Sequence, residues 1–241
     1  MSTAIESTRT TACAVCGKDL TVERCFFDGR ELFTAAKVKC RDCAAKAEQE
    51  RIEQKRRDQT TSTQTEWERI CPPRFQDTDP ARIPDQSAMN QIIGWKSGAD
   101  GLLALGETGS CKTRSFYLLL RRLHFREKKT IIAINSADLS MEIGRLFYTD
   151  QLAAANFIKR LCSVDVLYLD DLDKAKFTER TEAEVYHIIN HRTEQRRPIF
   201  ASVNCNGDEL SGLLSDNRGW PIVRRLRDYC KPVCFKSNTL L

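Results

Sequence analysis

The stretch GLLALGETGSCKTRSFYLLL, residues 101–120, places an apolar run, a glycine-bearing turn and an apolar periodic segment in immediate succession. Its first part reads as a strand buried on both faces and its last part as a helix. Between them, Gly106-Glu107-Thr108-Gly109-Ser110-Cys111-Lys112-Thr113 fits the spacing G-x-x-x-x-G-K-[ST], with Cys111 in place of the last glycine. Such a loop wraps phosphate oxygens with backbone N–H groups and aims a helix N-terminus at them. Lys112 is then expected to bridge β- and γ-phosphates, and the Thr113 hydroxyl to hold Mg²⁺. Cysteine is small, and no positive φ is needed at 111 if the helix has already begun, so phosphate binding is expected to survive the replacement. A ligand-free glycine turn is the plainer alternative. The coincidence of strand, loop, Lys-Thr pair and apolar helix argues against it.

Downstream, apolar runs alternate with helical patterns. TIIAIN (130–135), VDVLYLD (164–170), PIFASVN (198–204) and VCFK (233–236) are rich in Val, Ile and Leu, as strands of a parallel sheet are. Residues 112–126, 137–149, 151–162, 179–195 and 207–228 have helical periodicity, the last as two short helices. This alternation predicts an α/β domain, a parallel sheet with helices on both faces. Leu169-Asp170-Asp171-Leu172-Asp173 puts acids at the carboxyl edge of that sheet, where ligands of such folds bind. Asp170 is expected opposite Thr113 in the Mg²⁺ shell, and Asp171 to polarise an attacking water. A helix-capping acid cluster is the alternative. Asn204, ending the next run, can hydrogen-bond a γ-phosphate or hold the lytic water, although a loop Asn is also a common turn residue.

Upstream lie Cys13-x-x-Cys16 and Cys40-x-x-Cys43, separated by 23 residues. Each pair suits a turn that puts two sulfurs on one metal, and four sulfurs close a tetrahedral Zn²⁺ site. The spacer contains CFFDGRELF, a hairpin pattern with Asp28-Gly29 as its turn. So short a stretch lacks apolar mass, and metal would supply the missing stability. Buried free thiols are the alternative. A redox role is disfavoured because neither pair is expected to open a helix after a strand. Cys25 reads as a core thiol, while Cys71, Cys162, Cys205, Cys230 and Cys234 have no ligand spacing. Residues 44–69 are almost wholly polar: an exposed helix is expected to fray into a linker at TTSTQT, before Pro72-Pro73. The expected domains are a four-cysteine zinc module (1–43), a charged helix and linker (44–69), and an α/β domain (70–241).

With 241 residues, 41% of them hydrophobic, the chain can bury one substantial core, which excludes collagen-like and wholly disordered classes. No apolar run approaches the ~20 residues that span a bilayer, and the N-terminus lacks a secretory signal. A cytoplasmic protein without a membrane partner is expected. Eleven cysteines in a reducing compartment read as ligands and buried thiols rather than a disulfide framework. Between 218 and 236 six cations face Asp228 alone, an excess equal to the whole chain's formal +5. Such patches can meet phosphates on nucleic acid or on a nucleotide, or be solvated faces.

The order of parts, with a basic helix before the last strand, is that of the AAA+ ATPases. GETGSCKTR, LYLDDLDKAKFTERTEAEVYHIINHR, PIFASVNCNGDEL and PIVRRLRDYC resemble the DnaC-type helicase loaders and IstB-type transposition ATPases, above all phage and prophage versions, over roughly residues 67 to 236. The resemblance implies a sheet in the order 5-1-4-3-2, ATP as the nucleotide and ATP hydrolysis. It matches Arg225 to the arginine finger that enters a neighbouring subunit's site, with Arg224 as the alternate. It also implies self-association in the ATP state, with a replicative helicase and single-stranded DNA as partners. A zinc module of this kind can bind nucleic acid or protein; because residues 1–43 carry no strong basic excess, a protein contact is expected. Two departures stand out. Asp171 is one methylene shorter than the Glu of many ATPases, so hydrolysis is expected to be slow unless a compensating shift restores its reach. Few residues follow the last strand, so the helical lid is expected to be missing. An IstB-like transposition ATPase and an ATP-sensing adaptor that hardly hydrolyses, favoured by Cys111 and Asp171, are the competing functions; a small-molecule kinase lacks a visible substrate lid.

Overall fold

The computed structural model describes residues 5–27, 30–31, 38–98, 100–205, 207–215 and 217–236. The chain divides into two compact units, Met1–Gln64 and Thr65–Leu241. In the first, strands β1 (Ile5–Ala12) and β2 (Asp19–Phe27) pair antiparallel, and β2 pairs with the two-residue β3 (Arg30–Glu31). The pair Phe27↔Arg30 brackets Asp28-Gly29. Those two residues and the Cys25 side chain, named above as turn and core thiol, lie outside the described residues.

Helix α1 spans Arg41–Ile70 without interruption, through the tract where the sequence reading ends it. The Thr hydroxyls account for the difference. Thr60, Thr61 and Thr63 donate to the carbonyls of Arg56, Arg57 and Gln59 at 2.9, 3.0 and 2.9 Å. These i−4 bonds satisfy within the helix the groups that would otherwise favour a turn. The helix also ends on an anchor: Trp67 is buried and stacks on His124 at 5.9 Å.

The second unit continues with α2 (Pro73–Gln76), a 3₁₀ turn at Pro80–Arg82, and α3 (Gln86–Ile93), whose first turn is capped by Asp85 accepting from the Ala88 N–H at 3.0 Å. There follow β4 (Gly101–Leu105), α4 (Lys112–Phe125), β5 (Ile131–Asn135), α5 (Ser136–Thr149), α6 (Gln151–Ser163), β6 (Val166–Asp170), α7 (Glu179–Glu194), β7 (Ile199–Val203), α8 (Gly207–Gly212), α9 (Gly219–Tyr229) and β8 (Cys230–Cys234). The sheet order is β5-β6-β7-β4-β8, with parallel pairing throughout. Counted within this sheet, that is 5-1-4-3-2, as expected. The last strand starts at Cys230, earlier than the VCFK run suggests. Pro232 lies inside it opposite Leu103, tolerable because an edge strand needs no amide there.

Alternate side chains of β6 enter different cores. Leu167 and Leu169 pack with Leu139, Leu161, Val185 and Ile189 on one face. Val166 and Tyr168 pack with Phe116, Leu120 and Phe200 on the other. A strand covered on both sides must be apolar at nearly every position, and each buried Leu or Ile contributes roughly 1.5–3 kcal/mol. The adjacency β6-β7-β4 brings the carboxyl ends of three strands together, and with them Asp170, Asn204 and the loop that follows Leu105.

Candidate nucleotide site and cysteine centre

The loop after β4 is held by backbone geometry. Gly106 has φ +148, and a Cβ there would lie 2.8 Å from the Phe235 carbonyl oxygen. Ser110 closes the turn, its Oγ donating to Glu107 O at 2.8 Å. Cys111 departs from expectation. It has φ 68 and ψ 21, because α4 begins only at Lys112. A β-carbon in this left-handed region costs about 1–2 kcal/mol, the physical reason glycine suits the position.

Lys112 is buried, and its Nζ donates to Gly106 O at 2.6 Å, Glu107 O at 2.9 Å and Asn204 Oδ1 at 3.0 Å. Burial lowers its pKa, opposed by the charges of Asp171, Asp173 and Asp170. Asp170 Oδ1 accepts from Tyr168 OH at 2.5 Å, Ser202 Oγ at 2.6 Å and Thr113 Oγ1 at 3.0 Å. Burial and the Asp170 charge raise the Tyr168 phenol well above its usual pKa, so it stays a neutral donor. A hydroxyl and a carboxylate one hydrogen bond apart are the hard oxygen ligands that Mg²⁺ takes.

Asp171 turns out of the strand with φ 49. Its N–H donates to Ser202 Oγ at 2.9 Å, and its carbonyl accepts from Ser136 Oγ at 2.5 Å. Its carboxyl pKa is raised, by burial first and then by Asp170. Asn204 also accepts from Thr108 Oγ1 at 3.3 Å, and its Nδ2 donates to both oxygens of Asp173 at 3.0 and 3.2 Å. The structure therefore gathers Lys112, Thr113, Asp170, Asp171 and Asn204 at one place.

A cavity of about 190 Å³ opens there, lined by Thr108–Thr113, Asp171 and Asn204 and also by Arg74, Phe75 and Arg114. The sequence reading missed these last three, together with Tyr168, Ser202 and Asp173. Phe75 stacks on Tyr117 at 5.0 Å, and the Arg74 guanidinium lies 4.6 Å from its ring centre. The CPPRF motif was the available signal, but its prolines speak only of a helix end. Arg225 does not line the cavity. Its Nε donates to Asn190 Oδ1 at 2.7 Å and its guanidinium lies 4.8 Å from the Tyr186 ring, fastening α9 to α7. Arg224 is exposed, with Nε 3.5 Å from Asp228.

In the first unit the sulfurs of Cys13, Cys16, Cys40 and Cys43 lie within 4.8 Å of one another, Cys16 and Cys40 at 3.6 Å. Four thiolates each about 2.3 Å from zinc stand roughly 3.8 Å apart, so the set fits Zn²⁺. N–H groups of Cys40 and Val15 point at Cys13 Sγ, at 3.2 and 3.5 Å. Backbone hydrogen bonds of this kind hold the Cys13 thiol down at about 6, whereas the neighbouring cysteine sulfurs push Cys43 up to about 12. One correction concerns the second pair. Cys40 immediately precedes α1, so this pair does open a helix, and the clustering of four sulfurs, not the lack of a helix, is what favours metal over redox chemistry.

No protein-family model matches the chain. It is 25% identical over 120 residues to the uncharacterized protein YdaV of Escherichia coli K12, a match over 50% of this chain and 48% of that one. The match thus spans about half the length of the curated relative. Among solved structures, DnaI superposes with a TM-score of 0.54 at 19% identity, over 71% of this chain and 94% of DnaI. The DnaC helicase loader gives 0.52 at 16%, over 71% and 99%. AMPPCP-bound DnaA from Aquifex aeolicus gives 0.53 at 19%, over 63% and 45%. At these identities the likeness is one of fold, and together with the 5-1-4-3-2 sheet it shows that the core of this chain has the AAA+ fold.

Proposed function

We propose that the chain is an ATP-binding, Mg²⁺-dependent ATPase that acts as a helicase loader in DNA replication. The observation that carries the reading is the hydrogen bond of Thr113 to Asp170, with Lys112 and Asn204 joined beside it. Side chains suited to phosphate and metal come together there from three strands, at the edge where such sheets bind ligands. Gly106, Glu107, Thr108, Gly109, Ser110 and Cys111 would offer backbone N–H groups to the phosphates, and Lys112 would exchange loop carbonyls for phosphate oxygens. Thr113 and Asp170 would hold Mg²⁺, which neutralises charge on the transferred phosphoryl group. Asp171 would take a proton from the attacking water, and Asn204 would orient the reactants.

Arg225 would enter the site of a neighbouring copy in the ATP-bound state, released from Asn190; exposed Arg224 is the alternate. The cysteine module, holding Zn²⁺, would dock a replicative helicase in the cytoplasm while the ATP-bound assembly meets single-stranded DNA. Among the described residues no helix is long and apolar enough to cross a membrane. The test is a pull-down with a replicative helicase, with and without ATP, using wild type and Lys112→Ala. ATP-dependent capture lost in the variant supports loading; ATP-independent or absent capture sinks it. A second reading, an ATP-sensing adaptor with little turnover, is favoured by the left-handed backbone of Cys111 in the phosphate loop and by the reach of Asp171, one methylene shorter than Glu. Steady-state turnover measured with and without single-stranded DNA separates the two.

A further inference from the structure

Asp173 lies outside every role assigned above, yet its carboxylate is the principal partner of the Asn204 amide. Both Asp173 oxygens face Asn204 Nδ2, at 3.0 and 3.2 Å, and Asp171 Oδ1 is further off at 3.4 Å. The turn that carries Asp173 is pinned. The Leu172 side chain is buried and its N–H donates to Ser202 O at 2.9 Å, while Ser136 holds the Asp171 carbonyl.

A primary amide has nearly the same shape after a half-turn about its terminal bond, so the charges around it decide which end points where. In the observed orientation the oxygen meets the Lys112 ammonium at 3.0 Å and the NH₂ meets carboxylate. The half-turn would set NH₂ against ammonium and oxygen against carboxylate, two repulsions in place of two bonds. A nucleotide draws Lys112 onto its phosphates, which removes one of those restraints. Asp173 remains.

We infer that Asp173 is a positioning residue: it holds the NH₂ of Asn204, so that the amide oxygen faces the phosphate loop and Asn204 serves as an acceptor that orients water, not as a donor to the γ-phosphate. This rests on the ATPase reading. It chooses between the two roles open to Asn204, because the donor group is already committed to the acids.

The test combines side-chain ¹⁵N NMR with kinetics on the full chain. In wild type saturated with Mg²⁺ and a non-hydrolysable ATP analogue, the Asn204 NH₂ signals should show a hydrogen-bonded, slowly exchanging amide. They should collapse toward free-amide positions in Asp173→Ala. In turnover, Asp173→Ala should lower kcat on the order of tenfold with KM within about twofold, since orientation and not binding is lost. Asp173→Asn, which keeps an acceptor oxygen, should recover most of the rate. Combining Asp173→Ala with Asn204→Ala should be no worse than Asn204→Ala alone. A free Asn204 NH₂ in wild type, unchanged signals in Asp173→Ala, or a rise in KM at constant kcat would overturn the inference. If the signals behave as described but wild type does not turn over ATP, the positioning stands and the ATPase reading falls. If wild type hydrolyses, Lys112→Ala is inert and Asp173→Ala matches wild type, the reverse holds.

Discussion

Thr113 Oγ1 donates to Asp170 Oδ1 across 3.0 Å, joining the first turn of α4 to the end of β6. The two residues belong to different strand–helix units, and only the parallel order of the sheet brings them together. An Mg²⁺ ion coordinated by both would replace that hydrogen bond with one contact to a carboxylate and one to a hydroxyl oxygen. ATP·Mg²⁺ should accordingly raise the melting temperature, since a ligand that binds only the folded state stabilises it by mass action. Differential scanning fluorimetry should show this shift vanish in Lys112→Ala and shrink in Thr113→Ala. A wild-type response in Lys112→Ala would refute the phosphate-loop assignment.

Cys111 carries a β-carbon in the left-handed region, at φ 68. Cys111→Gly should relieve about 1–2 kcal/mol of strain and return part of it as unfolded-chain entropy. The net gain should raise the melting temperature by roughly 2–4 °C per kcal/mol and tighten ATP binding. A lower melting temperature would show that the thiol contributes packing which outweighs the strain.

Asp171 has a raised carboxyl pKa, so the sign of its pH effect is fixed. A group whose pKa is higher folded than unfolded stabilises the fold fully below its unfolded pKa, and that stabilisation is lost as pH rises through the folded value. At neutral pH the ionised carboxylate therefore works against folding. Asp171→Asn should melt higher than wild type at pH 7 without nucleotide, with the difference shrinking in acid. The same variant should bind ATP and lose turnover. In wild type the acidic limb of the rate profile should lie above that of an unperturbed aspartate. A limb at or below the ordinary aspartate value would remove Asp171 as the base.

Elemental analysis of purified protein should find about one Zn²⁺ per chain, as expected for four thiolates on one ion. Cys40→Ser should lower the occupancy, because its sulfur lies 3.6 Å from that of Cys16 within the cluster. Full occupancy in this variant, or no metal in wild type, would disprove the centre.

Arg225→Ala and Arg224→Ala distinguish the two candidates for an intersubunit finger. The finger variant should bind ATP nearly normally and lose turnover by a factor on the order of 10³, together with ATP-dependent self-association. Mixed with Lys112→Ala, it should regain activity through composite sites. Removing Arg225 also breaks its bond to Asn190, so a lowered melting temperature with normal turnover would assign it a purely structural role.

Residues 101–120 on their own determined the first strand, the phosphate loop and the helix after it, because each is specified by neighbours within a few positions. The later strands were legible for the same reason: segments covered on both faces must be apolar almost throughout, and their spacing left room for a helix between each pair. The two cysteine pairs likewise announced a four-sulfur cluster. Other features depended on contacts that local periodicity does not encode. α1 persists through TTSTQT because its Thr hydroxyls bond back to the helix and its own Trp67 is buried against His124. Cys111 is left-handed because the turn from β4 delays the start of α4. Arg74 and Phe75 reach the phosphate cavity because Phe75 stacks on Tyr117 of α4. Asp173 matters because β7 delivers Asn204 beside it. Local periodicity fixes which segments become strands and helices, but the direction of a side chain at a sheet edge is set by whatever the neighbouring strands carry there, and that information exists only once the strands are side by side.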